Sequence, residues 1–525
     1  MVAVALATLA HWPLAHAQQQ AGNALRALPP SVTTALARAH VPMSSLSVIV
    51  EKAAEASPLV AVNGDSPMTP ASTMKLVTTY AGLAMLGPDY RWPTRAWADG
   101  NVDEDGALHG TLYIQGTGDP KLVPEELTDL VQKIQAAGIT RLDGPLVLDK
   151  SAFDESTRDL PSFDGSDRAP YNVGPDPLVY AYKAMTFTFS PGEGDVTITE
   201  EPPLAGLDIN NQMRLRGGAC TGARLMPQIS TAITSENGAL PALTANFDGA
   251  YAARCGERSV NLAAPVDHTT FFADGFLALW RQAGGTLGPG FSGAVREGKV
   301  SAEARLVAEH DGPELGSVIH DINKFSNNTM ARNLFLSIGE LKGSAPSTPE
   351  KSAAAITAFL QHSHIAMPDL TLENGCGLSR SEQVSARSMA NLLQAAHASP
   401  VAQTFIDSLP VVGVDGTMRH RLVNADVAGN AHIKTGTLRN VRAIAGYVNA
   451  EDGNTYIVVS MINDPRAHNA RQAHDALLEW VYQGIPSERN MQDMQDMPDD
   501  SGASDAGAPD SSSGASTSDS ETDTE

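Results

Sequence analysis

Three short motifs lie far apart in this chain: Ser72-Thr73-Met74-Lys75, Ser326-Asn327-Asn328 and Lys434-Thr435-Gly436. Each alone is weak. Together, in this order, they supply the residue types of an acyl-transfer site built on a serine, and only if folding brings them to one place. That requirement constrains the architecture. Ser72 and Ser326 are 254 residues apart, so the ends of the chain must share one domain and the middle must leave it and return.

The local patterns agree. A helix over Thr33 to Ala39 precedes a hairpin, Leu46 to Glu51 and Leu59 to Asn63, whose end is marked by Asn63-Gly64-Asp65. A helical pattern opens near Pro70 and runs to about Met85, with Gly87 closing it. From 90 to 265 the chain turns to short strands. Leu112-Tyr113-Ile114, a helix from Pro124 to Ala137 and Gly144 to Asp149 read as a βαβ-like unit. The stretch 185–262 is strand-rich. Beyond 265 helices dominate: Phe271 to Ala283, Leu315 to Ile338, Thr348 to His362, Ser385 to Ala398 and Ala470 to Tyr482. Strands over 431–439, 442–449 and 454–462 complete a sheet with the early hairpin. The expected organisation is an export segment (1–17), a split domain (18–89 with 266–485), an αβ insert (90–184), a β-rich insert (185–265) and a disordered acidic tail (486–525). The fold class is α/β (α+β): an antiparallel sheet between helices, interrupted by a large, mostly β insert.

The three motifs carry the chemistry. A serine hydroxyl needs a neighbouring base. Ser72 and Lys75 share one helix face at i and i+3. Ser72 falls in the first turn, where the helix dipole favours developing negative charge. Lys75 must be neutral to accept a proton, and burial beside a second cation lowers its pKa. Lys434 is either that second cation or, with Thr435, the holder of a substrate carboxylate. Gly436 removes a side chain where an extended substrate would lie along a strand edge. The Ser72 and Thr437 amides are the expected oxyanion donors. A second Ser-x-Asn, Ser235-Glu236-Asn237, stands beside Gly238 in a turn-like stretch and is taken as chance. Ser326 and Asn328 sit inside a helical pattern.

On these residues the chain resembles the serine penicillin-recognising enzymes. Within them it is similar to the D-alanyl-D-alanine carboxypeptidase/endopeptidases of the class C low-molecular-mass penicillin-binding proteins (peptidase family S13, penicillin-binding protein 4 type). Further matching stretches are Gly116 to Leu122, Asp143 to Asp149, Tyr171 to Asp176, Asn374 to Arg380 and Leu409 to Thr417. The resemblance covers about Leu25 to Tyr482. It implies a transpeptidase-like domain with a large insert after the first motif, and hydrolysis of peptidoglycan stem peptides through an acyl-enzyme on Ser72. It also implies covalent capture of β-lactam antibiotics, and no cofactor. Lys75 acts as base, Ser326 passes a proton to the leaving amine, Asn328 meets the substrate amide, and Lys434 and Thr435 hold the carboxylate. Arg380, Asp164 and Tyr171 are further candidates for substrate contact, with a cleft-wall salt bridge the alternative for Arg380. Homodimers are a further implication. Two positions depart from the pattern: Cys376 stands where serine is usual, and Ala181-Tyr182 where Asn-Phe is usual. Two other functions compete: a β-lactamase, for which no activating glutamate stands at compact spacing, and a non-catalytic wall-binding scaffold.

Charge and leader narrow the setting. The formal net charge is −24, and Glu488 to Glu525 hold 11 acidic residues and one basic, leaving −14 elsewhere. Nucleic acid is therefore not an expected partner. Val2 to Ala10 is apolar, and Ala15-His16-Ala17 precedes Gln18 as a small-x-small cleavage site. This predicts a periplasmic protein. The run is too short to span a bilayer, and no integral membrane segment is expected. Cys220 and Cys255, both in the insert, are expected to pair in an oxidising compartment, leaving Cys376 as a small buried thiol. The 14 histidines show no metal spacing, so no metal site is predicted, and His320, His420 and His432 read as structural.

Overall fold

The structure, a computed structural model, describes residues 25–55, 57–220, 225–232, 242–291 and 295–484. The export segment 1–17, the tail 486–525 and Ser235-Glu236-Asn237 lie outside the described residues.

The central sheet is antiparallel and has five strands. Their order is Pro58–Val62, Leu46–Lys52, Thr455–Asn463, Val441–Asn449 and Ala431–Leu438. Two strands come from the start of the chain and three from its end. The three inner strands are rich in β-branched residues and buried along nearly their whole length, as strands covered on both faces must be. Side-chain alternation divides the burial. Ile49, Ala445, Tyr447, Ile457, Val459 and Met461 join a core with Leu76, Val77, Ile319, Leu334 and Leu392. These five come from the helices Lys75–Leu86, Leu315–Lys324, Asn328–Lys342 and Ala386–His397. The opposite parity, including Val48, Val448, Val458 and Ile462, is buried on the face where Pro30–Arg38 and Arg471–Tyr482 pack together.

The insert has its own core. Leu112–Gln115 and Leu146–Asp149 run parallel with the helix Pro124–Ala136 between them in sequence, as the βαβ-like reading requires. They belong to a sheet ordered Val295–Glu297, Leu146–Asp149, Leu112–Gln115, Pro93–Ala98, Arg305–Asp311. The strand-rich part forms two three-stranded sheets and a two-stranded one, and Cys220 and Cys255 are disulfide-bonded.

Two expectations need correction. The insert does not return to the catalytic layers at 265. The helix His268–Gln282 places Phe271, Phe272, Phe276 and Trp280 in the insert core, with Phe272, Phe276 and Trp280 stacked in series one turn apart. The strands Val295–Glu297 and Arg305–Asp311 then pair with insert strands. An aromatic stripe of this size must bury where apolar surface awaits it, which draws residues 268–311 into the insert. The second correction concerns the helix expected from Leu315 to Ile338. It is two helices, Leu315–Lys324 and Asn328–Lys342, broken at Phe325-Ser326-Asn327. Asn327 caps the second, its side chain accepting from the Met330 N–H at 3.0 Å. Among the described residues no helix is long and apolar enough to cross a membrane.

Candidate active site

Ser72 sits in a 3-10 turn, Ala71–Met74, that runs directly into the helix Lys75–Leu86. The α-helix thus begins later than the sequence pattern implies. Ala71 has φ +48°, and Thr73 Oγ1 donates to the Pro70 carbonyl at 2.8 Å. Two chain segments press on this turn so closely that only glycine fits. A Cβ at Gly377 would lie 1.9 Å from the Ala71 oxygen, and one at Gly436 would lie 2.6 Å from the Pro70 oxygen. The segment before the turn is tied to the sheet. Asn463 accepts from the Thr69 N–H at 2.8 Å and donates back to its carbonyl at 3.1 Å.

Lys75 is fully buried. Its Nζ contacts Ser72 Oγ at 3.0 Å, Asn328 Oδ1 at 2.6 Å and the Cys376 carbonyl at 2.7 Å. Asn328 and Cys376 offer acceptors only. They hold the two hydrogens that a neutral amine keeps, and the third direction, a lone pair in that state, points at the serine. Burial is the main cause that brings the Lys75 pKa down to about 8, with Cys376 and Glu382 opposing it and the Arg332 charge adding to it. The repulsion expected between Lys75 and Lys434 exists, but it adds to burial in holding Lys434 well below the ordinary lysine value. Repulsion between two amines is mutual, so Lys434 bears on Lys75 as well, and Arg332, which no motif marks, is a further cation that lowers it.

The helix break places the second motif. Ser326 has φ +57°, a left-handed conformation that costs a non-glycine residue about 1–2 kcal/mol. Held there, Ser326 Oγ accepts from Lys434 Nζ at 2.9 Å. Lys434 is fully buried and also donates to the Thr435 carbonyl at 3.1 Å. Asn328 has two partners within the protein. Its Oδ1 takes Lys75, and its Nδ2 donates to the Tyr171 carbonyl at 2.9 Å, which fixes its orientation and leaves one lone pair and one N–H for a substrate amide.

Strand Ala431–Leu438 is the sheet edge. Its first half is covered: the Ile433 N–H donates to the Pro410 carbonyl at 2.8 Å. Main-chain donors alternate along a strand. The Thr435 and Thr437 amides therefore face the same way as that of Ile433, away from the neighbouring strand. Thr435 Oγ1 and Thr417 Oγ1 are 2.9 Å apart, which adds Thr417 to the candidate carboxylate pocket. The stretch that carries Thr417 is anchored by buried Lys324, whose Nζ reaches the Leu409 carbonyl at 2.6 Å and Asp415 at 2.7 Å.

Glu382 organises the third wall. Fully buried, it accepts from the N–H groups of Glu373, Asn374, Gly375 and Gly377 at 2.8–3.0 Å. Burial raises its pKa and these four bonds oppose the rise. The result is a tight loop that aims the Cys376 carbonyl at Lys75. The Cys376 thiol is buried and free. Nothing in the sequence singles out Glu382, because its partners are main-chain atoms.

The outer candidates sit elsewhere. Arg380 stacks on Phe163 of the insert, 4.8 Å from the ring centroid, rather than forming the salt bridge considered as its alternative. Tyr171 Oη donates to Asp164 at 2.7 Å, and Asn172 donates to the same carboxylate at 2.9 Å. The Tyr171 hydrogen bond leads in holding Asp164 down to about 2. Both are exposed in the insert; Tyr171 meets the central cluster only through its carbonyl. His320 and His420 are exposed, and burial depresses the pKa of His432.

Comparison with known proteins follows this geometry. The model of the D-Ala-D-Ala carboxypeptidase 3 (S13) family matches residues 29–483. A D-alanyl-D-alanine carboxypeptidase from Actinomadura sp. is 29% identical over 445 residues, covering 79% of this chain and 77% of the relative. The D-alanyl-D-alanine carboxypeptidase DacB of Haemophilus influenzae is 26% identical over 432 residues, covering 76% and 81%. The crystal structure of penicillin binding protein 4 from H. influenzae superposes with a TM-score of 0.67 at 22% identity, covering 85% of this chain and 99% of that one. The same protein complexed with a β-lactam gives 0.64 at 21%, covering 86% and 100%. The architecture is thus of the penicillin-binding protein 4 kind, as the sequence implied.

Proposed function

Because this chain belongs to the D-Ala-D-Ala carboxypeptidase (S13) family, we propose that Ser72 is the nucleophile of its serine DD-peptidase activity and Lys75 the base. The contact between Lys75 Nζ and Ser72 Oγ, 3.0 Å long and flanked by two acceptors, carries this reading. Neutral Lys75 removes the hydroxyl proton as Oγ bonds to the carbonyl carbon between two D-alanines. The oxyanion takes the amides of Ser72 and Thr437. As the C–N bond breaks, the leaving amine takes a proton from Ser326, whose Oγ Lys434 holds at 2.9 Å, and Ser326 regains it from the ammonium that Lys75 became in the first step. Water then frees the acyl-enzyme, returning Ser72. Thr435 and Thr417 with Lys434 hold the terminal carboxylate, and Gly436 leaves room for the substrate backbone.

The substrates are peptidoglycan stem peptides and D-amino-acid crosslinks, and β-lactams occupy the same serine covalently. The setting is the periplasm, reached through the leader at 1–17. Arg380, Asp164 and Tyr171 form an outer contact region, with Arg380 acting through its stack on Phe163. The test is mass spectrometry of penicillin-treated protein beside D-alanine release from a D-Ala-D-Ala-terminated peptide. A persistent adduct on Ser72, absent in Ser72→Ala, and released D-alanine are expected. Equal labelling of Ser72→Ala would end the assignment. Rapid turnover of a chromogenic cephalosporin would favour a β-lactamase, and wall-fragment binding without D-alanine release a scaffold.

A further inference from the structure

The orientation of the Asn328 amide is decided by the insert. An amide has a donor end and an acceptor end. Lys75 meets the acceptor end, Oδ1, at 2.6 Å, and the Tyr171 carbonyl meets the donor end, Nδ2, at 2.9 Å. A carbonyl can only accept, so its place at Nδ2 is what turns Oδ1 toward the lysine. Tyr171 belongs to a 3-10 turn of the insert, Pro170–Asn172, and the chain that leaves this turn is laced to the helix Asn328–Lys342. Thr329 Oγ1 donates to Val173 O at 3.2 Å. Asn333, fully buried, accepts from the Asp176 N–H at 3.1 Å and donates to Asp176 O at 3.0 Å and to Gly118 O at 3.1 Å. Asn333 thus holds two insert segments at once. Those segments also hold each other, the Gly118 N–H donating to Pro177 O at 3.1 Å. From the insert side, buried Lys150 fixes the Asp176 carboxylate at 2.7 Å.

We propose that Asn333 is a positioning residue of the acyl-transfer centre: it pins residues 171–176 to the helix that bears Asn328, which keeps the Tyr171 carbonyl on Asn328 Nδ2 and Oδ1 on the Lys75 amine. The inference rests on Ser72 and Lys75 acting as nucleophile and base. Asn333 lies more than one helical turn beyond Asn328, and its hydrogen bonds reach neither Ser72 nor Lys75. Without the pin, the Tyr171 carbonyl is free to leave Asn328. A half-turn of the released amide then brings an N–H to Lys75, where it competes with the Ser72 hydroxyl for the lone pair of the amine. The Thr435 and Thr417 hydroxyls of the carboxylate pocket come from the edge strand and the stretch anchored by Lys324, which Asn333 does not hold. Substrate binding and the proton transfer therefore separate.

The experiment is the kinetics of penicillin acylation of the full chain, resolved into the dissociation constant of the first complex and the rate constant of the acylation step. It compares wild type, Asn333→Ala, Asn328→Ala and the double variant. Asn333→Ala lowers the acylation rate constant roughly tenfold and leaves the dissociation constant within about threefold. In the Asn328→Ala background the same substitution changes the rate constant by less than about twofold, because the amide it orients is gone. If Asn333→Ala does not fold, Asn333→Ser, which keeps one donor, shows the same split and the same dependence on Asn328 at smaller size. A rate constant unchanged in the folded variant, or lowered equally in both backgrounds, would overturn the proposal, since equal losses mean that Asn333 does not act through Asn328. A wild type that is not acylated, or Ser72→Ala labelled as wild type is, would instead sink the reading of Ser72 on which the proposal rests.

Discussion

At the scale of the residue, the site depends on a lysine held against its own chemistry. An exposed lysine has a pKa near 10.4 and is almost wholly protonated at pH 7. Burial brings Lys75 to about 8, so a usable fraction is neutral at physiological pH. The sign follows. Acylation needs the neutral amine, so its rate rises about tenfold per pH unit below about 8 and flattens above it. Stopped-flow labelling across this range checks the slope; a flat profile would contradict it. Lys75→Arg, which stays charged at every such pH, lowers the acylation rate by roughly 10²–10⁴-fold while leaving the fold intact by circular dichroism.

Single atoms of main chain matter as much as side chains. A methyl group at Gly377 would overlap the Ala71 carbonyl, and Gly377 itself has φ +86°. Gly377→Ala therefore displaces the nucleophile turn. A loss of stability of about 2–4 kcal/mol, read by denaturant unfolding, and loss of penicillin labelling are expected together.

At the scale of the element, the site is assembled from interruptions of regular structure. A 3-10 turn carries Ser72, a break between two helices carries Ser326, and a loop wound on Glu382 carries the Cys376 carbonyl. Glu382 shows how such a loop is held. Four N–H groups converge on one buried carboxylate, and bonds to a charged acceptor are worth about 1.5–3 kcal/mol each. Glu382→Gln turns one acceptor into a donor facing donors. Stability falls by roughly 3–5 kcal/mol, and acylation falls with it because the Cys376 carbonyl no longer holds Lys75. Thermal unfolding and labelling rate, measured together, check this; normal labelling by a destabilised variant would show that the loop is not needed for the base.

At the scale of the whole molecule, two hydrophobic cores are joined across the site. The catalytic sheet draws strands from both chain ends, and the insert has its own sheets, aromatic stack and disulfide. The helix carrying Asn328 spans the join through its grip on residues 171–176. The disulfide joins two residues of the insert, neither of which takes part in these contacts. Cys220→Ser with Cys255→Ser removes a crosslink between residues 35 apart and lowers stability by about 2–4 kcal/mol, yet leaves penicillin acylation within about twofold at 25 °C. A large loss of acylation in the folded double variant would show that the insert's β-rich part reaches the catalytic centre.

What could be read from the chain was whatever side-chain identity encodes. The three motifs, the split sheet, the βαβ unit and the cysteine pair all rest on residue types at definite spacings, which local physics turns into helices, strands and reactive groups. Three-dimensional contact decided the rest. The apolar and polar pattern from Leu315 to Ile338 runs on through Ser326, and the one sign of a break is the capping residue Asn327; the contact from Lys434 that holds Ser326 there exists only in three dimensions. The aromatic helix His268–Gln282 has no label saying which of two cores it enters. Glu382 and the carbonyls of Tyr171 and Cys376 act through backbone atoms, whose contacts depend on distance in space, and sequence separation carries no information about that distance.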